Sequence, residues 1–323
     1  MSGTALLLVL AAAVCHASWN VVAHGVSRIG TPFLWWGAVA SAVLWLPVVP
    51  FTGGLGGSVG GLALGAGVSA VLHVVYMVVL QRGYAAGSLS TVYATARGTG
   101  PAVSAVLAVL LLGERLSALA AIGIAVVVAG VVATGLVDRR PRQAPAPVDG
   151  AAAIADGAAA PASTGGASEE PAPRADAAPR RRRRLDPGIA WGLLTGLAIA
   201  SYTIWDAHAL RTWELSPVSF MVGVTAVEVL FYTATLGRRR RELLDVVRAH
   251  WPRVLAFGVL SPMSYILVLV AIQTTPVALV APARETSVVM VAVFGALVLR
   301  EGSVAKRLTA SVVVLGGIAL LAL

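Results

Sequence analysis

An arginine set inside an apolar run, and then met a second time, constrains this chain more than any other feature. Residues 93–116 read YATARGTGPAVSAVLAVLLLGERL, and residues 280–303 read VAPARETSVVMVAVFGALVLREGS. The differences 284−97, 301−114 and 317−130 all equal 187, so Arg97 aligns with Arg284, Glu114 with Glu301 and Gly130 with Gly317 without a gap. Between 93 and 114, nine of 22 positions are identical to their partners. Ala and Val matches arise by chance in apolar sequence, so the weight falls on the Arg, Glu and Thr99/Thr286 pairs. An internal duplication is expected, and it decides the fold before any local propensity does.

With 58% hydrophobic and 12% charged residues and a mean hydropathy of +0.84, the chain has too little polar surface to cover a set of soluble helices. It reads as a polytopic membrane protein. The formal charge of +9 is carried by 23 arginines and one lysine, Lys306, and gathers in tracts between apolar segments. That pattern is a topology signal rather than a nucleic-acid surface. Cys15 is the single cysteine and can form no internal disulfide. The first apolar segment lacks a basic leader, so a retained span is expected rather than a cleaved signal.

Ten apolar segments approach the roughly 20 residues needed to cross a bilayer as a helix. They cover 4–24, 31–51, 61–81, 88–112, 117–137, 188–209, 216–236, 253–273, 277–299 and 304–323. Barrel strands are excluded because the runs lack alternation. The fold class is therefore all-α and membrane-integral. Residues 138–187 are rich in Ala, Pro, Gly and charge and end near Arg180–Arg184. They read as a disordered linker between a first half, 1–137, and a second, 188–323. Five spans per half is odd, so the second copy enters the membrane the other way up, as an inverted-topology repeat. Other matched pairs agree: Ala17-Ser18-Trp19 with Ala200-Ser201-Tyr202, Thr31-Pro32 with Ser216-Pro217, and Gln81 with Gln273.

Arginines concentrate in the odd-numbered connections, at Arg28, Arg82, the linker, Arg238–Arg241, Arg248, Arg253, Arg300 and Arg307; the even-numbered ones hold little beyond Arg115 and Arg211. The positive-inside rule then places the odd connections and the linker in the cytoplasm, and both termini outside a cytoplasmic membrane.

Ionisable groups at membrane depth cost at least about 2.5–3.5 kcal/mol each on insertion scales, so they are expected to face a cavity. Arg97 and Arg284 should lie roughly 14 and 11 Å into their spans from opposite faces. A guanidinium pair can receive a carboxylate or phosphate; alternatively the two arginines pair permanently with Glu228, Glu285 or Asp206. Glu228 reads as an ion-pair member or a proton carrier, and Asp206 as a proton carrier or a hydrated interfacial group. Trp19, Asn20, His16, His73, Tyr76 and Tyr93 are candidate cavity-lining groups, with His73/Tyr76 and Tyr93/Arg97 each on one helix face. For the histidines an ordinary interhelical hydrogen bond is the preferred reading. Pro101 is expected to bend the fourth helix, with Pro262, Pro276 and Pro282 offering further breaks. Glu114 and Glu301 are expected to be hydrated or to cap the next helix, with a gate contact as the alternative. Gly123, Gly130, Gly316 and Gly317 favour close helix approach or a homodimer contact. No metal, cofactor or catalytic motif is present in the sequence, so no cofactor and no enzymatic activity are expected.

His16-Ala17-Ser18-Trp19-Asn20, Tyr93 to Pro101, Gly113-Glu114-Arg115, Ser201-Tyr202-Thr203 with Asp206, and Ala281-Pro282-Ala283-Arg284-Glu285 together resemble the EamA branch of the drug/metabolite transporter superfamily. The likeness covers everything except the linker, which is longer than that family's usual connection. Thr95 stands where similar sequences often carry Pro. The resemblance implies secondary transport, commonly export, of small polar metabolites through a central cavity. On that architecture Trp19, Asn20, Tyr76, Tyr93, Arg97, Tyr202, Tyr265 and Arg284 would line the cavity and bind solute, while Asp206, Glu228 or Glu285 would answer to protons or complete ion pairs. A lipid flippase, or a membrane scaffold or sensor subunit, is the alternative.

Overall fold

The computed structural model describes residues 1–24, 26, 29–87, 89–137, 187–297 and 304–322. The expected linker lies outside these residues apart from Pro187, as do Arg28, Glu301 and the end of the expected ninth span. Among the described residues every regular element is helical. The α-helices are α1 (Gly3–His24), α2 (Thr31–Trp45), α3 (Val59–Ala86), α4 (Leu89–Leu112), α5 (Ala118–Val137), α6 (Pro187–Thr212), α7 (Pro217–Leu236), α8 (Leu243–Thr274), α9 (Val277–Ala283), α10 (Thr286–Leu297) and α11 (Val304–Ala322). Short 3-10 turns follow α2 at Leu46–Phe51 and α7 at Gly237–Glu242.

Local chemistry sets the helix ends. Pro32 and Pro217 open α2 and α7, where a missing N–H costs nothing. The Ser58 side chain accepts the Gly61 N–H at 3.0 Å and caps α3. Gly113, at φ +68°, turns the chain out of α4 in the left-handed conformation a side chain resists, and the Glu114 N–H closes back on the Ala108 carbonyl at 3.2 Å.

Two of the expected spans differ from the sequence reading. The eighth begins ten residues earlier, at Leu243, with a kink at His250 (φ −131°) ahead of Pro252; proline disfavours helical backbone in the residue before it. The ninth is two helices, α9 and α10, separated at Arg284–Glu285. The expected bend at Pro101 is not a break, because α4 runs through it as one helix.

Six helical stretches are long and apolar enough to cross a membrane, the last of them, Pro217–Thr274, covering both α7 and α8; Ala118–Ala133 and Leu308–Ala322 are shorter apolar helices. Leu7, Val43, Leu110, Leu111, Leu230 and Val312 are 62% to 71% exposed, a periphery suited to lipid and not to water. Together with the length and apolarity of the spans, this makes a multi-pass membrane protein.

The halves do not fold as separate lobes. Residues Met1–Arg139 and Asp186–Leu323 form one compact unit. Helix contacts cross between the halves: α1 with α8 and α10, α2 with α7 and α8, α3 with α6 and α7, α4 with α6 and α9, and α5 with α11. Glycine makes the closest of these possible. A methyl group on Gly192 or Gly196 of α6 would lie 2.6 Å from Cβ of Thr95 or Thr99 of α4. On α5, one on Gly130 would lie 2.6 Å from the Val314 side chain of α11. Gly123, Gly130 and Gly317 are thus spent on packing within the chain, whereas nothing lies near Gly316. Trp213 packs its ring on Gly61 and Gly65 of α3.

Candidate solute-binding site

The tight α4–α6 contact, together with α1, α3, α8 and the α9–α10 break, surrounds a cluster of buried polar groups. Arg97 projects from α4 one turn after Tyr93, with its guanidinium 5.4 Å from that ring's centre. Nη1 of Arg97 lies 3.5 Å from Oε1 of Glu285, and Nη2 lies 3.3 Å from Nε2 of His16 on α1. Glu285 is 1% exposed, and its Oε2 has no hydrogen-bond partner among the described residues.

Arg284 sits at the break itself and is 9% exposed. Its Nε is buried without a hydrogen-bond partner, and no ion pair reaches its guanidinium among the described residues. Its electrostatic neighbours include Tyr202, Glu285, Tyr265, Arg97, Asp206 and His16. A buried guanidinium left in this condition is costly unless a ligand completes it. The break makes room for it. Pro282 has no N–H to give to Ala278, and the chain then tightens, with Glu285, Ser287 and Val288 donating to the carbonyls three residues before them at 3.0, 3.2 and 2.9 Å. The Thr286 hydroxyl donates to the Ala283 carbonyl at 2.7 Å and satisfies a group that the break exposes.

An aromatic wall faces these charges. His73 stacks on Tyr202 with ring centres 4.1 Å apart, and Tyr265 and Tyr76 meet Tyr202 edge-on at 6.2 and 5.7 Å. The Tyr265 hydroxyl donates to Oδ2 of Asp206 at 2.5 Å; Asp206 is fully buried, and its Oδ1 has no hydrogen-bond partner among the described residues. Trp19 stands edge-on to His16 and to Phe257, with Nε1 buried and unpartnered among the described residues.

The structure therefore brings Trp19, Tyr76, Tyr93, Arg97, Tyr202, Asp206, Tyr265, Arg284 and Glu285 into one cluster. Asn20 turns back on its own helix, donating to the His16 carbonyl at 2.7 Å. Glu228 pairs with neither arginine; its electrostatic neighbours are His73 and, on its own helix, Tyr232. The sequence reading passed over Ser69, whose carbonyl lies 2.9 Å from Nδ1 of His73. Its spacing, four residues before His73 and seven before Tyr76, is the signal that could have found it. Phe257 left no such signal. Two grooves lie elsewhere. One, between α4 and α5, is lined by apolar residues such as Ala105, Val109, Ile124 and Val128 and offers no polar group; the other, among α3, α4 and α6, includes Leu107, Trp205 and His208. Among the described residues no cluster of His, Cys, Asp and Glu could hold a metal ion.

A polytopic helical membrane protein with unsatisfied buried charges beside an aromatic wall has the makings of a binding protein for small solutes. The family model for the EamA-like transporter family matches residues 186–323. No curated protein matches the chain. Among solved structures 28 chains match. One of them, at 15% identity, superposes with a TM-score of 0.64 over 99% of this chain and 96% of its own length. At that identity the likeness concerns the fold alone.

Proposed function

We propose that the protein is a secondary carrier of small anionic or zwitterionic solutes, working by alternating access as two inverted five-helix repeats, 1–137 and 188–323, with ten membrane crossings. The repeat reading is supported by the contacts between halves, which come in exchanged pairs: α1 with α8 and α3 with α6, α2 with α8 and α3 with α7, α1 with α10 and α4 with α6. A two-fold relation between the halves generates such pairs. On this reading the membrane is the cytoplasmic one, the odd connections face the cytoplasm, and transport runs outward.

The observation that carries the proposal is the buried Nε of Arg284, which has no hydrogen-bond partner among the described residues. A carboxylate or phosphonate offers it two acceptor oxygens. Oε2 of Glu285, which has no hydrogen-bond partner among the described residues, can receive an ammonium group or a proton. Tyr202, Tyr265 and Tyr76 shape the cavity, and Asp206, with Tyr265 as its donor, is the proton-responsive group.

A thermal-shift screen of the purified protein against amino acids, phosphonates and sugar phosphates tests this. Ligand at 100 times its dissociation constant stabilises by about 2.7 kcal/mol, so weak binders register. One class should raise the melting temperature of the parent and leave Arg284→Ala unmoved, and the same radiolabelled solute should exchange across proteoliposomes of the parent only. If no class registers, and Arg97→Ala and Arg284→Ala change only stability, a membrane scaffold takes the carrier's place.

A further inference from the structure

The duplicated glutamate after α4 does not cap the helix that follows it. Turned outward by Gly113, Glu114 reaches across to the other half, where Oε1 accepts the Val277 N–H at 2.8 Å and Oε2 the Ala278 N–H at 3.0 Å. It thereby caps the start of α9, the short helix that ends at Arg284. The same carboxylate takes Nη1 of Arg211 at 2.9 Å, from the end of α6. Nε and Nη2 of Arg211 donate to the Ile272 carbonyl at 3.0 and 2.7 Å, and Nη2 also to that of Thr275 at 3.0 Å, closing the end of α8. One carboxylate and one guanidinium thus bind α4, α6, α8 and α9 at a single face of the bundle. Gln273, donating to the Leu215 carbonyl at 3.1 Å, adds a further tie there. Glu114 is 6% exposed and Arg211 29%, so the contact is seated rather than superficial.

Arg284 lies seven residues beyond Val277, about 11 Å down the helix axis. Whatever fixes the start of α9 therefore fixes the depth and direction of Arg284 and Glu285. The pair also recurs in the sequence: Glu301 stands 187 residues after Glu114, and Arg28 stands 183 before Arg211, the offset that relates Trp19 to Tyr202. Both of those residues lie outside the described ones.

We propose that Glu114 is a positioning residue for Arg284 and Glu285, and that its contacts with α9 and Arg211 form the closure of the solute site on this face, which must part before the site is reached from here. The proposal takes its functional meaning from the carrier reading, and its test needs no solute. In a Cys15→Ser background, Ser287→Cys places a thiol three residues past Arg284, at a position now 1% exposed. Its reaction with a membrane-impermeant maleimide is followed from each face of proteoliposomes. Glu114→Gln, which lacks the acceptor capacity for two amides and a guanidinium, and Glu114→Ala should speed labelling at least tenfold from the face carrying residues 112–118 and 274–277, and not from the other. Glu242→Gln, in an exposed pair with Arg239, should label like the parent. Rates within twofold of the parent in folded Glu114 variants overturn the proposal, as does an equal rise from both faces, which marks general loosening. Arg211→Gln keeps the caps and removes the cation; it carries the same test if neither Glu114 variant folds. Faster one-sided labelling in a protein that moves no solute would sink the carrier reading and leave the closure standing. Unchanged labelling where Arg284→Ala abolishes exchange would do the reverse.

Discussion

Arg97 and Arg284 occupy matching places in two stretches that align without a gap, yet they have different surroundings. Arg97 lies in an unbroken helix and is occupied, with Glu285, His16 and the Tyr93 ring around it. Arg284 lies at a break, and its Nε has no partner among the described residues. Two substitutions between the copies account for this. Pro282 stands at the position of Thr95, so the second copy loses a helical hydrogen bond one half-turn before its arginine. Glu285 stands at the position of Gly98, so only the second copy supplies a carboxylate, and it reaches the first copy's arginine. The two differences leave one arginine in contact with a carboxylate and the other with an unpartnered Nε among the described residues.

The largest effect that can break this comparison is on stability. Arg97→Met removes the cation in ion-pair contact with Glu285 and should cost about 3–5 kcal/mol, whereas Arg284→Met removes a buried cation with no ion pair among the described residues and should cost less. Urea or thermal unfolding in detergent decides between them. Equal losses from both would mean that Arg284 has a partner within the protein and that its openness to solute is illusory.

The helix break is the next point of leverage. Pro282→Ala restores the missing N–H, so α9 and α10 should join, Arg284 should leave its present position, and ligand-induced thermal stabilisation should vanish while the fold gains stability. Thr95→Pro imposes the break on the first copy, where the Thr95 Cβ already meets Gly192, and should cost about 3 kcal/mol or more. A Pro282→Ala protein that keeps its ligand response would detach the break from the site.

Sequence alone resolved the spans far better than it resolved the site's wiring. Span length is a local quantity, fixed by bilayer thickness and apolar composition, and most helices start within a few residues of the expected limits, while α2 gives way to a 3-10 turn at Leu46, α8 starts early and the ninth span is two helices. Which proline interrupts a helix is not local. Pro101 and Pro282 carry the same intrinsic cost, but α4 is held along its length by Gly192 and Gly196 of α6, and α9 is held at its start by Glu114. The bond from Arg97 to Glu285 spans 188 residues and the cap from Glu114 to Val277 spans 163, so neither is visible to spacing rules that work over one or two helical turns. The glutamate's sequence neighbour, α5, is the wrong partner for that reason.

Where the copies have stayed alike, smaller and equal effects are expected. Gly130 and Gly317 are matched by the 187-residue offset, and each is pressed against the other half's fifth helix. A methyl on Gly130 would meet the Val314 backbone nitrogen at 2.9 Å, and one on Gly317 the Val127 nitrogen at 2.7 Å. Backbone cannot swing aside, so Gly130→Ala and Gly317→Ala should each destabilise by about 1–3 kcal/mol, and by similar amounts. Unequal costs would mean that the fifth helices have diverged as the fourth ones did.

Gly316 offers the smallest and sharpest comparison, because it shares a helix and a neighbour with Gly317 but faces open space. Alanine there meets nothing and gains helix propensity worth at most about 1 kcal/mol, so Gly316→Ala should be neutral or slightly stabilising. The difference between adjacent substitutions isolates packing from propensity, since the second term is common to both. It also addresses the homodimer suggested by these glycines. The α5–α11 contact already uses Gly123, Gly130 and Gly317 within one chain, which leaves Gly316 as the glycine of the set still free to meet a second copy. A Gly316→Ala protein that is destabilised in proportion to dilution would place an intermolecular contact at this face, and one indifferent to concentration would leave the fifth helices committed to holding the two halves of a single chain together.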